Sequence, residues 1–325
     1  MQKVLVTGAT GFIGTHLVRR LVRDGHQVVA LVRDPAKATG FPTTNVELIR
    51  GDLSIFEDDR TVLPRCDTVV HLAGVVAADD VADYHAVNFV AVKHLVACLE
   101  RQAWTPRRLL FASSLAAAGP SPSGVHKSET DPCEPIEPYG RSKLEAERFL
   151  QTAPFPTTTF RPAVVFGAGD PATVTLFRMA KRGIGFRTAG PASPISFIDV
   201  DDLVEAIVRL LDDTSQAHHT YFVSHPQAMD TPTMWKTLGK VMDRRVAVIP
   251  IPRPVLYATM IAMTALAKRF KFKNQLDIKQ YEQITAPPFV CSSAALQRDL
   301  AWHPAYDLEA SIARAAEGFR SAGSL

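Results

Sequence analysis

No pair of cysteines sits at metal-ligand or disulfide-framework spacing: Cys66, Cys98, Cys133 and Cys291 are scattered, with no CxxC among them. That argues against a zinc ribbon and against a disulfide-stapled scaffold, and it predicts reduced thiols in a cytoplasmic protein. His218-His219 has no neighbouring ligand residues, so no metal centre is predicted there. A strong excess of one charge is missing as well. The 36 Lys and Arg against 33 Asp and Glu leave a net +3, too little to point to a nucleic-acid partner. The apolar run Val255 to Ala267 falls short of the ~20 residues a membrane-spanning helix needs, so no transmembrane segment is predicted. Internal repeats and low-complexity tracts are absent, and a strand pattern begins directly after Met1, leaving no room for a signal peptide.

What remains is ordinary globular composition, 46% apolar and 21% charged over 325 residues, with ample length for one large or two smaller domains. Strand and helix patterns alternate. Lys3 to Thr7 reads as a strand and Thr15 to Arg23 as a helix. Gln27 to Arg33 is a nearly continuous apolar strand, as expected where both faces of a parallel sheet are covered. Val46 to Ile49, Thr68 to Leu72, Arg108 to Ala112 and Thr157 to Phe160 repeat the strand pattern, with helices predicted over Ala86 to Arg101 and Tyr139 to Leu150. This predicts an α/β fold, a doubly wound parallel sheet built from right-handed βαβ units. After Gly167 short strands (Ile195 to Ile198, Thr220 to Val223) mix with helices at Asp201 to Leu211, Thr231 to Val241 and Leu308 to Phe319. The expected division is 1–170 and a smaller portion, 171–325, some of whose segments return to the first. Five prolines between Pro120 and Pro138 mark a long loop.

Between the first strand and the first helix the chain reads Gly8-Ala9-Thr10-Gly11-Phe12-Ile13-Gly14. Where no Cβ intervenes, backbone approaches a pyrophosphate closely, and the first free N–H groups of a helix point at the anion. Farther along, Tyr139 and Lys143 lie four residues apart on a predicted helix, on one face, downstream of Ser113-Ser114. A phenol with a pKa of about 10 exchanges protons poorly near neutrality, and a neighbouring ammonium lowers that value. A serine hydroxyl can steady a carbonyl oxygen as negative charge develops on it.

The GxxGxxG spacing, the Tyr139-Gly-Arg-Ser-Lys143 segment and the upstream serine resemble the short-chain dehydrogenase/reductase superfamily, specifically its extended, epimerase/dehydratase-like branch. The resemblance covers nearly the whole chain, is strongest from Lys3 to Gly167, and implies a dinucleotide-binding Rossmann domain over 1–170 and a mainly substrate-binding portion over 171–325. It implies catalytic Ser114, Tyr139 and Lys143, with Ser114 preferred to Ser113 because the small-residue run that follows closes on Gly119. It also implies a nicotinamide dinucleotide held by Gly8, Thr10, Gly11, Phe12, Ile13 and Gly14 at the turn. Asp52 and Leu53 follow the third strand, where the branch has an aspartate for the adenine amino group. Ala73 and Gly74 follow the fourth, and Asn88 stands in the next helix; His71 reads as structural. Pro162 and Val164 match the segment at the nicotinamide end, and Tyr139 and Lys143 also touch the cofactor. At the end of the second strand Arg33 stands where NAD-binding members carry an acid. Its geometry and charge match a 2′-phosphate and favour NADP, while Asp34 keeps NAD open.

Departures narrow the reaction. Leu115-Ala116 replaces the Asp-Glu of sugar-nucleotide dehydratases, Pro162-Ala163-Val164 replaces the Tyr-Phe-Asn of many epimerases, and Ile195 stands where those hold a diphosphate with arginine. The chain therefore resembles the dihydroflavonol-reductase and 3β-hydroxysteroid-dehydrogenase side of the branch. Expected is an NADP(H)-dependent oxidoreductase interconverting a secondary alcohol and a carbonyl on a fairly apolar small molecule. A nucleotide-sugar epimerase with tightly held NAD is the alternative, and a non-catalytic NADP-binding redox sensor the third reading. Val255 to Ala267, followed by Lys268, Arg269, Lys271 and Lys273, reads as a core or lid helix, or as an apolar face with a basic edge for weak membrane-surface contact. Val87, Val90, Leu95 and Cys98 are candidate contacts for a homodimer through the helices Ala86 to Arg101 and Tyr139 to Leu150.

Overall fold

Aliphatic and β-branched runs bounded by glycine, asparagine or aspartate become strands, and their burial on both faces makes the sheet parallel. The computed structural model describes residues 1–325 except 39, 79, 123–124, 191–192, 271–280, 282–284 and 286–287. Lys271 and Lys273, part of the anticipated basic edge, therefore lie outside the described residues. The strands are β1 (Lys3–Thr7), β2 (Gln27–Val32), β3 (Val46–Arg50), β4 (Thr68–His71), β5 (Arg108–Ala112), β6 (Thr157–Pro162), β7 (Val164–Phe166), β8 (Ile184–Thr188), β9 (Phe197–Asp199), β10 (His219–Val223) and β11 (Ala247–Ile251). Seven of them form one sheet in the order β3-β2-β1-β4-β5-β6-β10, every neighbouring pair parallel. The order reverses at β1, as in a doubly wound Rossmann sheet.

Alternate side chains sort to opposite faces with the period of two that a strand imposes. Val4 and Val6 of β1 and Val28, Ala30 and Val32 of β2 enter one core with Leu17, Val18 and Leu21 of α1 (Phe12–Arg23). Leu5, Val29 and Leu31 enter the other, against the next helices in the chain. Those helices are α2 (Val81–His85), a π-helical turn Ala86–Val90, α3 (Ala91–Arg101), the short α4 (Leu115–Ala118) and α5 (Pro138–Leu150). The continuous helix anticipated from Ala86 is thus longer at its start and broken by a wider turn. Leu95 and Cys98 are fully buried in the chain's own core beside Leu5 and Phe111, so they cover the sheet and are not available as dimer contacts.

Beyond β7 the chain builds α6 (Val174–Lys181), α7 (Val200–Leu211), α8 (Thr231–Val241), α9 (Arg253–Phe270), α10 (Ala294–Leu300) and α11 (Leu308–Ser321). Phe177, Trp235, Leu238, Ile312 and Phe319 close a separate apolar core there. Two later segments lie with the main sheet. Leu203, Ile207 and Leu210 of α7 pack with α1 in the first core, and β10 pairs with β6. The strand anticipated at Ile195 begins at Phe197, with Ile195 making only isolated bridges to Met229 and Phe289. Pro120 to Pro138 has neither helix nor extended strand among its described residues until Pro138 opens α5, and Lys127 pins it by a bridge to Cys291.

Candidate active site

The site is built where β1, β4 and β5 end. Gly8 adopts φ +69°, which an L side chain rarely does, and Gly11 N–H donates to Gly8 O at 2.9 Å to close the turn. Gly14 faces inward in the first turn of α1, where a Cβ would stand 2.2 Å from Gly8 O. Helix and strand can approach this closely only with glycine there. Gly11 caps α1 with no side chain over its free N–H groups and no acid in the first turn, so the helix start stays open to an anion. Thr10 and Phe12 flank this opening, while Ile13 packs on the sheet core. A pyrophosphate fits this cradle on the glycines alone.

A Cβ on Gly8 would also meet Ala73 N at 2.7 Å, which places the β1 turn directly against the β4 exit. One residue on, a Cβ on Gly74 would stand 2.8 Å from Asn88 Oδ1 and 3.1 Å from Lys143 Nζ. The glycine turn, Ala73-Gly74 and Lys143 are therefore contiguous. Asn88 sits in the π turn, fully buried, and stitches this corner together. Its Oδ1 accepts from Val75 N at 2.9 Å, and its Nδ2 donates to Val75 O at 3.0 Å and to Ser142 Oγ at 3.1 Å.

Ser114, two residues past β5, caps α4 by accepting from Ala116 N at 3.1 Å, and hydrogen-bonds the Tyr139 hydroxyl. Ser113 points elsewhere, its hydroxyl donating to Glu147 Oε1. Of the two serines, only Ser114 is thus hydrogen-bonded to the tyrosine. Lys143, buried, donates to Ala112 O at 2.8 Å and lies over the Phe111 ring at 4.8 Å. Burial brings its ammonium down to about 8, against the pull of the Glu147 carboxylate. Burial pushes the Tyr139 phenol up to about 12, opposed by the Ser114 hydrogen bond and reinforced by Glu137 and Tyr84. The sequence argument anticipated a phenol lowered by Lys143; here desolvation outweighs every other influence. His71, fully buried, shares a 2.8 Å hydrogen bond with Thr7 Oγ1 and is held neutral by desolvation, at about 3, as suits a structural residue.

At the far end of the cradle Arg33 is exposed just past β2, and its charge helps hold the Asp52 carboxyl below its usual range, behind the larger effect of the Ser54 hydroxyl and amide. Asp52 Oδ1 is engaged by Ser54 N and Oγ at 2.9 and 2.6 Å, capping the 3₁₀ turn that opens at Leu53. Asp34 caps its own turn, accepting from Ala36 N at 3.0 Å. Pro162 ends β6, beside the strand that carries the serines, and Val164 stands exposed on β7.

Two features escaped the sequence reading. Tyr84 lies with its ring 6.2 Å from that of Tyr139 and accepts from Ala78 N at 3.0 Å. A buried ion pair joins α5 to β6: Arg161 donates to Glu147 Oε1 at 3.0 Å and Oε2 at 2.5 Å, with Nη2 also 3.1 Å from Cys133 Sγ. Glu147 lies two helical turns after Tyr139, the one periodic signal that marked it. Among the described residues no cluster of His, Cys, Asp and Glu could hold a metal ion.

The sheet order, the glycine turn and the tyrosine–lysine helix define a dinucleotide-binding Rossmann enzyme of the extended short-chain dehydrogenase/reductase type. The chain belongs to the NAD dependent epimerase/dehydratase family, whose profile matches residues 4–223. It is 29% identical over 205 residues to a ceramide reductase of Caulobacter vibrioides, a match covering 63% of this chain and 59% of that protein. It is 25% identical to a 2-alkyl-3-oxoalkanoate reductase of Stenotrophomonas maltophilia, over 96% of this chain and 98% of that one. Its fold matches that of MoeE5 in complex with UDP-glucose and NAD, with a TM-score of 0.77 and 24% identity over 99% and 100% of the two chains. Reductases, dehydrogenases and UDP-sugar epimerases all occur among its relatives.

Proposed function

We propose that this chain is an NADP(H)-dependent oxidoreductase that interconverts a carbonyl and a secondary alcohol on a fairly apolar small molecule, with NAD as the alternative cofactor. The observation that carries the proposal is the Ser114–Tyr139 hydrogen bond, set one helical turn from Lys143, which abuts Gly74 beside the glycine turn. The dinucleotide, when bound, supplies or takes the hydride. Gly8, Gly11 and Gly14, with Thr10, Phe12 and Ile13 around them, hold its pyrophosphate. Arg33 holds the 2′-phosphate; Asp52 and Leu53 lie at the adenine end, and Ala73, Gly74, Pro162 and Val164 along the rest. Ser114 Oγ donates to the carbonyl oxygen, and Tyr139 Oη gives its proton to that oxygen in reduction or takes it back in oxidation. Lys143 contributes positive charge and reaches the ribose. The rest of the chain, mainly 171–325, shapes the substrate pocket.

Ile195, where epimerases of the branch hold a diphosphate with arginine, favours an uncharged substrate, and the reductase names of two relatives agree with this. Four free cysteines, three of them buried, suit a cytoplasmic enzyme. The π turn, where Val87 and Val90 are half-buried, together with α3 and α5 remains the candidate homodimer face. Two measurements test the reading. Tyr139→Phe is expected to abolish turnover while NADPH affinity stays within a few fold, and loss of binding instead would make the tyrosine structural. By calorimetry, NADPH is expected to bind tightly to the wild type and at least tenfold more weakly to Arg33→Ala. A preference for NADH, or a nucleotide that survives purification, would turn the assignment towards the epimerase.

A further inference from the structure

A chain that leaves a sheet must find new partners for its backbone amides and carbonyls. Past β4 the stretch Gly74-Val75-Val76-Ala77-Ala78 carries no polar side chain of its own and forms neither helix nor strand. Two side chains from the helical turns that follow supply the partners. Asn88 takes both polar groups of Val75. Tyr84 does the same farther out. Its hydroxyl accepts from Ala78 N at 3.0 Å and donates to Val76 O at 3.4 Å. One donor and one acceptor thus hold the Val76–Ala78 bend at both ends. What is held is apolar and open: Val76 is 73% exposed, and Ala77 is exposed as well. An exposed valine is ordinary on a protein surface, and only its neighbourhood gives it meaning.

Here the contacts run outward from the cofactor cradle in one order. A Cβ on Gly8 would meet Ala73 N at 2.7 Å, and one on Gly74 would stand 3.1 Å from Lys143 Nζ. Next come Val76 and Ala78, both bonded to Tyr84, whose ring centroid lies 6.2 Å from that of Tyr139 at an interplanar angle of 57°. Burial first, then Glu137 and Tyr84, keep the Tyr139 phenol protonated. The residue that fixes the bend therefore stands beside the hydroxyl that exchanges the proton. We infer that Tyr84 is a positioning residue: through its two hydrogen bonds it fixes the Val76–Ala78 bend beside Tyr139, where Val76 and Ala77 form the wall against which an alkyl arm of the substrate carbonyl packs. The inference rests on the oxidoreductase reading and deepens it by naming the substrate chemistry the site selects, a ketone with an extended alkyl arm. A wall fixed before the substrate arrives removes its own ordering cost from binding, so the clamp acts on substrate affinity and not on the chemical step.

The test uses the full chain with NADPH and a series of methyl ketones, 2-butanone to 2-decanone, read by the loss of NADPH absorbance. In the wild type kcat/KM is expected to climb along the series, by up to about fourfold for each methylene that reaches the wall. Tyr84→Phe keeps the ring and removes both hydrogen bonds. KM for the longer ketones should then rise about tenfold, as the loss of two ordinary hydrogen bonds allows, with kcat within about twofold and NADPH affinity unchanged by calorimetry. Val76→Asp, at an exposed position, should flatten the climb. A KM for Tyr84→Phe equal to that of the wild type would overturn the inference. So would a climb that survives Val76→Asp, or a wild type indifferent to chain length. A fall of both Tm and NADPH affinity in Tyr84→Phe, with kcat and KM moving together, would make the hydroxyl merely structural and overturn it too. If NADPH binds and no ketone of the series is reduced, the oxidoreductase reading itself fails, and the inference falls with it.

Discussion

Burial acts in opposite directions on the two titrating groups of the site. It strips Lys143 of its proton near pH 8 and keeps Tyr139 protonated to about 12. Below pH 8 the ammonium persists beside a neutral phenol, the pair needed to deliver a proton. As pH rises through about 8 the lysine charge is lost. For reduction, kcat/KM is therefore expected to fall on the alkaline side with an apparent pKa near 8, and Lys143→Met should remove that limb while lowering the whole profile; a pH–rate series in both proteins checks it. Glu147 acts through its neighbours. It holds Ser113, pairs with Arg161 and sustains the Lys143 charge. Glu147→Ala leaves a buried guanidinium unpaired, which typically costs about 3–5 kcal/mol; urea unfolding should show a loss of that size. None of this pairing was legible in the sequence, because Glu147 and Arg161 are fourteen residues apart on different elements. The family resemblance favoured Ser114 through Gly119, and Ser114 is the serine hydrogen-bonded to the Tyr139 hydroxyl.

At the scale of elements, the strands were readable wherever apolar residues ran unbroken, and their ends moved by only a residue or two. The helix from Val81 to Arg101 was not. Its π turn exists to bring Asn88 inward onto Val75 and Ser142, an arrangement set by tertiary partners and not by local propensity. Asn88→Ala would strand the Val75 N–H and C=O, at about 1–3 kcal/mol for an unsatisfied buried group. Both a lower Tm and a slower turnover are expected from it, because the turn also backs Gly74. Leu95 and Cys98 illustrate a different limit. An apolar helical stripe looks the same whether it covers its own sheet or a partner's, and only the packed structure separates the two. The close approach at Gly14 makes a sharper prediction. Gly14→Ala drives a Cβ into Gly8 O and Ala9 O, both backbone, so the helix must shift and cofactor affinity should drop steeply by calorimetry while the strands persist by circular dichroism.

For the whole molecule, a ligand bound only by the folded chain stabilises it by about 2.7 kcal/mol at a hundredfold excess over Kd. NADPH at that excess is expected to raise Tm by several degrees, NADH at equal concentration by less, and Arg33→Ala should erase the difference in a thermal scan. The alternation of strands and helices showed the Rossmann sheet in advance, but it did not say which later segments, α7 and β10 among them, lie with that sheet. Both follow a long excursion through β7, β8 and β9, and pattern alone does not say where a chain returns. That return has a consequence during synthesis. Until residue 223 has left the ribosome, β6 has no neighbour on one side and presents an open row of amides and carbonyls. The half-made sheet is a template for pairing with other nascent chains, and this protein should depend on chaperones most acutely while the stretch from Val164 to Val223 is being translated.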